Sequence, residues 1–177
     1  MTQASSQPAA YAPIVRFLHW LVAPLVFIEF ALGWAMPRLT QDSAPTGVIG
    51  WHLSVGGLLL AIMLVRVVYR LIYEPDPAVG PVARGWLAKV THLTLYVMLF
   101  AVPVTGWANS SSRGWFVRLL GLLFYPLITD RNSAFGDALG AVHRWLAWVL
   151  LILSIAHIAD ALFRRFVLRD DVLQRIM

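Results

Sequence analysis

The sequence predicts an all-α integral membrane protein built as an antiparallel bundle of four transmembrane helices. Three observations lead there. The 177-residue chain is 59% hydrophobic and only 13% charged, against roughly half apolar and about a quarter charged in a soluble domain. Its mean hydropathy is +0.71. Four apolar segments reach or approach the roughly 20 residues that cross a hydrocarbon core of about 30 Å.

The first segment, Phe17 to Met36, predicts a helix over about 15–37. The ten residues at the start of the chain are polar and carry no positive charge. They lack the basic region of a secretory signal, so this segment is expected to be retained. Trp51 to Leu71 predicts a second helix over about 50–73, and Trp86 to Ala108 a third over about 86–109. Pro24 and Pro103 fall inside helices one and three and should bend them. The stretch 115–128 is apolar but short, and Arg118, Gly121 and Pro126 interrupt it. It reads as a short interfacial helix lying along one surface. His143 to Phe163 anchors a fourth crossing over about 138–166. Residues 1–177 thus form a single membrane domain, with no internal repeat and no Gly-rich phosphate loop.

Orientation follows from the basic residues. Arg16, Arg66, Arg70, Arg84, Lys89, Arg164, Arg165, Arg169 and Arg175 fall on one side, nine against the five of Arg38, Arg113, Arg118, Arg131 and Arg144. The positive-inside rule then places both termini in the cytoplasm. Tryptophans mark the same boundaries, with Trp34, Trp51, Trp107, Trp115, Trp145 and Trp148 at the outer interface and Trp20 and Trp86 at the inner. The net charge of +5 comes from arginines at helix ends. Topology and anionic lipid headgroups account for them, and no nucleic-acid partner is expected.

Each histidine thereby acquires a depth. His143 and His157 share the fourth segment fourteen residues apart, which on a helix is about 21 Å of rise and close to four whole turns. Both imidazoles therefore leave the same face at opposite depths. His19 lies at the depth of His157, and His52 at that of His143. Two bis-imidazole sites, one near each surface, satisfy this arrangement, and haem b fits it because two axial nitrogens from facing helices saturate a low-spin iron. A tetrahedral zinc site would gather its ligands at one depth. The absence of cysteine excludes iron–sulfur ligation and covalent c-type haem. Gly56, Gly57, Gly140, Ala147, Ala23 and Ala161 lie within about a turn of a histidine, where small residues set a backbone back from a porphyrin face. His92 lies near the cytoplasmic start of helix three, and spacing alone lets it compete with His19 or His157 for the inner iron. A hydrogen-bonded interfacial histidine, or a donor to a quinone headgroup, are its other readings.

These residues carry a family resemblance. Arg16-Phe-Leu-His19-Trp20 opens helix one. Trp51-His52 is followed by a glycine pair and closes on Arg66-x-x-x-Arg70. His92-Leu-Thr-Leu-Tyr96 runs to Pro103-x-x-Gly106-Trp107, and two histidines mark helix four. From about Val15 to Asp171 the chain resembles the bacterial cytochrome b561 family, in particular its small stand-alone superoxide oxidases. The resemblance implies a four-helix dihaem cytochrome b of the bacterial inner membrane. Two non-covalent b haems would pass electrons to ubiquinone, and the donor in the superoxide oxidases is superoxide on the periplasmic side. It further implies His19 and His157 as ligands of the inner haem and His52 and His143 as ligands of the outer, leaving His92 free of iron.

The charge distribution suits that reaction. Superoxide is an anion, and Arg38, Arg113, Arg118, Arg131 and Arg144 face only Asp42, Asp130 and Asp137 on the outer side. Such a surface steers anions and fades with salt. Arg144 also suits a haem propionate, as do Arg16, Arg66 and Arg70 on the inner side. Quinone reduction needs protons, and Asp160 and His92 are the candidates to deliver them. For Asp160 the competing reading is an ion pair with Arg164 one turn on. Glu29, about ten residues deeper than His19, is a costly membrane acid that matches nothing in the family pattern. Two other functions fit part of the pattern. One is a membrane relay subunit carrying electrons for a partner dehydrogenase or hydrogenase; the other is a haem-free transporter or metal-binding bundle.

Overall fold

The computed structural model describes residues 12–40, 42–73, 82–119, 122–169, 173 and 176, with only the backbone of 82–85, 87 and 88. The polar first ten residues, Arg175 and the Arg84 side chain, all used in reading targeting and charge, lie outside the described residues, as does Gly121.

Helix α1 runs Pro13–Ala35, α2 Gly47–Tyr73, α3 Val82–Ser112 and α4 Ala134–Phe163. A π-helical stretch, Arg164–Leu168, continues α4. All four are long and apolar enough to cross a membrane, and the chain is a multi-pass membrane protein. Each begins a few residues before the span expected from its apolar run. Pro13 sits in the first turn of α1, where a missing N–H costs nothing. Ser133 caps α4 by accepting from the Gly136 amide, with Asp137 in the first turn against the helix dipole. Trp20 donates its indole N–H to the carbonyl of Ile176 at 2.9 Å, so the start of α1 and residue 176 lie at the same end of the bundle.

Among the described residues α3 packs on α4, α1 on α2 and α2 on α3. The apolar centre of the bundle is Val22 and Val26 of α1 with Leu59 and Met63 of α2, closed by Tyr96, Leu99 and Phe100 of α3. Numerous large apolar side chains, such as Phe17, Leu71, Ile152 and Phe166, point outward. In water such a surface would aggregate; in a bilayer it is the face that lipid solvates.

The segment 115–128 corrects an expectation: it is a β-hairpin, not an interfacial helix. Strand β1 (Arg118–Leu119) pairs antiparallel with β2 (Leu123–Phe124), placing Arg118 opposite Phe124 and Leu119 opposite Leu123. So short a segment cannot offset helix nucleation unaided, and Pro126 withholds a donor. The hairpin instead anchors on α2. Ser54 Oγ donates to the Arg118 carbonyl at 2.7 Å, and the Tyr125 hydroxyl donates to the Gly57 carbonyl at 3.0 Å. Gly57 permits this approach, since a Cβ there would lie 2.8 Å from Tyr125 Cε2. The role expected for Gly57, room for a porphyrin, is thus taken by a tyrosine. Gly140 likewise faces the Asn109 side chain of α3, 2.7 Å from where its Cβ would stand.

Candidate functional site

The histidines of α2 and α4 meet at the end of the bundle away from the Trp20–Ile176 contact, the end the charge pattern is expected to turn outward. The His52 and His143 ring centroids are 6.0 Å apart, with the planes at 82°. His143 reaches this position because α3 makes room for it: a Cβ on Gly106 would lie 3.0 Å from both Cε1 and Nδ1 of its ring. Its Nδ1 stands 2.8 Å from the Val102 carbonyl oxygen. A carbonyl only accepts, so Nδ1 carries the proton and Nε2 offers its lone pair. His52 is fixed from the other side. Glu29 Oε2 of α1 lies 2.9 Å from its Nδ1, and Gly33, one turn on from Glu29, leaves space at 3.7 Å from its Cε1. The Nδ1–H is not aimed squarely at the carboxylate, and Glu29 Oε1 has no hydrogen-bond partner. At both rings a protein group occupies the Nδ1 side, so Nε2 is the free donor.

The pair opens into a cavity of ≈ 1280 Å³ lined by residues of all four helices. That exceeds the roughly 300–1,000 Å³ of a drug-sized ligand site. Arg38, Arg113 and Arg144 line it together with Trp34 and Trp148. Arg113 donates to the Thr40 carbonyl at 3.2 Å and lies over the Trp115 ring, while its Nε is buried without a partner. Of the other expected outer cations, Arg118 lies over Phe124 and Arg131 packs against Gly114. Neither lines the cavity.

Three histidines gather at the opposite end, the one expected to face inward. His157 and His92 have ring centroids 5.5 Å apart, and His19 is within electrostatic reach of both and of Arg66. Arg66 Nε donates to the Tyr96 hydroxyl at 2.7 Å, and Arg66 and Arg70 both lie 5.5 Å from the Tyr96 ring centroid. Arg16 Nε is buried without a partner. Asp160 accepts from Arg164 Nε at 2.7 Å, the ion pair foreseen from their spacing.

The structure thus brings His52 to His143 and His157 to His92 with His19 close by. Sequence reasoning passed over the Glu29–His52 contact, the Val102 carbonyl, Gly33 and the space that Gly106 leaves. Glu29 and Gly106 carried a signal, an acid deep in a membrane helix and a glycine one turn past Pro103, but neither pointed to its histidine. The donor set fits a b haem: imidazoles with Nδ1 engaged, glycines against the rings and a large cavity with cationic groups along its wall.

Comparison with known proteins agrees with this architecture. Residues 10–177 match the family model described as prokaryotic cytochrome b561. The chain is 33% identical over 183 positions to "Cytochrome b561 homolog 2" of Escherichia coli (strain K12), covering 98% of this chain and 94% of that one. It is 32% identical over 167 positions to "Probable superoxide oxidase CybB" of Yersinia pestis, covering 90% and 91%. It is 28% identical over 181 positions to "Cytochrome b562" of Cereibacter sphaeroides, covering 97% and 98%. Fold, histidines and relatives together define a membrane-embedded electron-transfer protein of the b-type cytochrome class. The chain belongs to the prokaryotic cytochrome b561 family.

Proposed function

We propose that the chain is a dihaem superoxide:ubiquinone oxidoreductase of the bacterial inner membrane with both termini in the cytoplasm. The overall reaction oxidises two superoxide ions to two dioxygen molecules and, with two protons, reduces one ubiquinone to ubiquinol. When bound, each b haem supplies a one-electron iron couple, and two of them at different depths span the bilayer.

The observation that carries this reading is the facing pair of His52 and His143, each with its Nδ1 side occupied by a protein group. Those groups orient the rings and leave Nε2 to ligate. His19 and His157 are assigned as the inner ligands. His92, against His157, is assigned to the quinone as a hydrogen-bond or proton donor. Arg38, Arg113 and Arg144 along the outer cavity draw in an anion and hold propionates. Arg16, Arg66 and Arg70 serve propionates at the inner end. Asp160 is held by Arg164 at the inner end of α4, where it can pass protons toward the quinone. The name of the Yersinia pestis relative supports superoxide as the donor.

The test is to add potassium superoxide under argon to the purified protein with a soluble ubiquinone. Rapid appearance of the reduced α-band and of ubiquinol is expected. A protein that stays oxidised would instead point to a relay subunit needing a docked dehydrogenase or hydrogenase.

A further inference from the structure

Glu29 is a carboxylate in the membrane-spanning part of α1, with its side chain 14% exposed. Charge in such a place is costly unless something offsets it. Its Oε2 lies 2.9 Å from His52 Nδ1, and its Oε1 has no hydrogen-bond partner. A neutral imidazole beside it, its Nδ1–H not aimed squarely at the carboxylate, does not balance a full negative charge. A net positive centre on the far side of the ring does, and a bis-imidazole ferric haem carries one positive charge at its iron. The surroundings accommodate the carboxylate: Gly56 keeps side-chain atoms away from Oε2, whose distance from an added Cβ would be 3.5 Å. Gly33 leaves the His52 ring its space. At the inner end the arrangement differs. Among the described residues His52 is the only histidine in ion-pair range of a carboxylate. The partner of His143 Nδ1 is a neutral carbonyl.

We infer that Glu29 is a positioning residue that acts through His52 to stabilise the oxidised form of the outer haem, setting its potential below that of the inner one. A carboxylate at Nδ1 makes an imidazole a stronger donor to iron. Its charge also favours the ferric over the ferrous state, because reduction removes the positive charge it faces. Among the described residues only the outer ligand set has a carboxylate against a ligand ring; Asp160 reaches His157 at longer range and is already paired with Arg164, so electrons entering from outside run downhill toward the inner site. This rests on the dihaem reading above and adds to it a direction.

The test uses the purified holoprotein and its Glu29→Gln and Glu29→Asp variants. Haem content is counted by pyridine haemochrome, the couples by potentiometric titration of the α-band, and ligand strength by the ferric low-spin electron paramagnetic resonance signal. The couple missing from His52→Ala identifies the outer haem. In wild type the outer couple should be the lower of the two. Glu29→Gln, which keeps the shape and removes the charge, should hold both haems and raise the outer couple alone. A tenfold or greater rise in its reduced-to-oxidised ratio at fixed potential is expected, 59 mV for a one-electron couple. The outer ferric signal should shift with it, and Glu29→Asp should restore most of both. An unmoved outer couple in a Gln variant holding both haems would overturn the inference, as would an outer couple lying above the inner one in wild type. If Gln loses the outer haem, Asp must retain it, and loss from both variants would equally overturn the role of charge. A wild-type chain that binds no haem would refute the dihaem reading itself.

Discussion

Replacing Gly106 by alanine tests the construction of the outer site with a single methyl group. The new Cβ would lie 3.0 Å from Cε1 and Nδ1 of His143 and 3.6 Å from Nε2, where carbon contacts prefer about 3.5–4.0 Å. The imidazole can retreat only toward the cavity, and doing so stretches its 2.8 Å bond to the Val102 carbonyl. Overpacking of this kind costs about 1–3 kcal/mol, and a weakened hydrogen bond about 0.5–1.5 kcal/mol. Alanine returns about 1 kcal/mol of helix propensity. The net loss of about 0.5–3.5 kcal/mol falls on the proposed outer haem and weakens its binding about 2- to 300-fold. Haem titration into the apoprotein, followed at the Soret band, measures this directly, with the inner haem of the same molecule as control. Wild-type affinity for both haems in Gly106→Ala would refute the reasoning, and equal loss of both would show a fold defect instead.

Other perturbations reach different parts of the account. Tyr125→Phe removes the bond to the Gly57 carbonyl and should loosen the hairpin by about 0.5–1.5 kcal/mol, read as faster proteolysis between α3 and α4. Burial holds the Tyr125 phenol above its ordinary value of 10.0. Its contribution to docking is therefore complete below pH 10 and lost as the pH climbs through the raised value; the Phe variant should lack that alkaline loss. Asp160→Asn breaks an ion pair whose carboxylate is 59% exposed, so thermal unfolding should register no more than about 0.5 kcal/mol. Raising ionic strength from about 0.01 M to about 0.15 M shortens the Debye length from about 30 Å to about 8 Å and should slow reaction with superoxide severalfold in stopped flow. The double variant Arg38→Gln, Arg113→Gln should lose most of that salt dependence.

What the sequence makes legible is height. Apolar length places all four helices, and fourteen residues between His143 and His157 separate two levels. Equal depth alone pairs His52 with His143, and the Asp160–Arg164 pair follows from a four-residue step. Contacts that depend on rotation about a helix axis escape it. Gly57 and Gly140 stand near histidines along the chain, yet they face Tyr125 and Asn109. Gly106, on a different helix, is the glycine that admits His143. The same limit hid Glu29, because nothing in α1 records that its face meets α2. At the inner end three histidines share one level, so depth leaves three pairings open, and the structure sets His157 beside His92 with His19 near. The hairpin escaped for another reason: its apolar run fits either period, and the two anchors that decide it, Ser54 and Gly57, lie more than sixty residues away.

The most direct measurement is haem stoichiometry with the reduced-minus-oxidised spectrum for wild type, His52→Ala and His157→Ala. The account predicts two b haems per chain in wild type and one in each variant, with different α-bands missing from the two. A wild-type protein with a single haem, or a His52→Ala variant that keeps both, would contradict it.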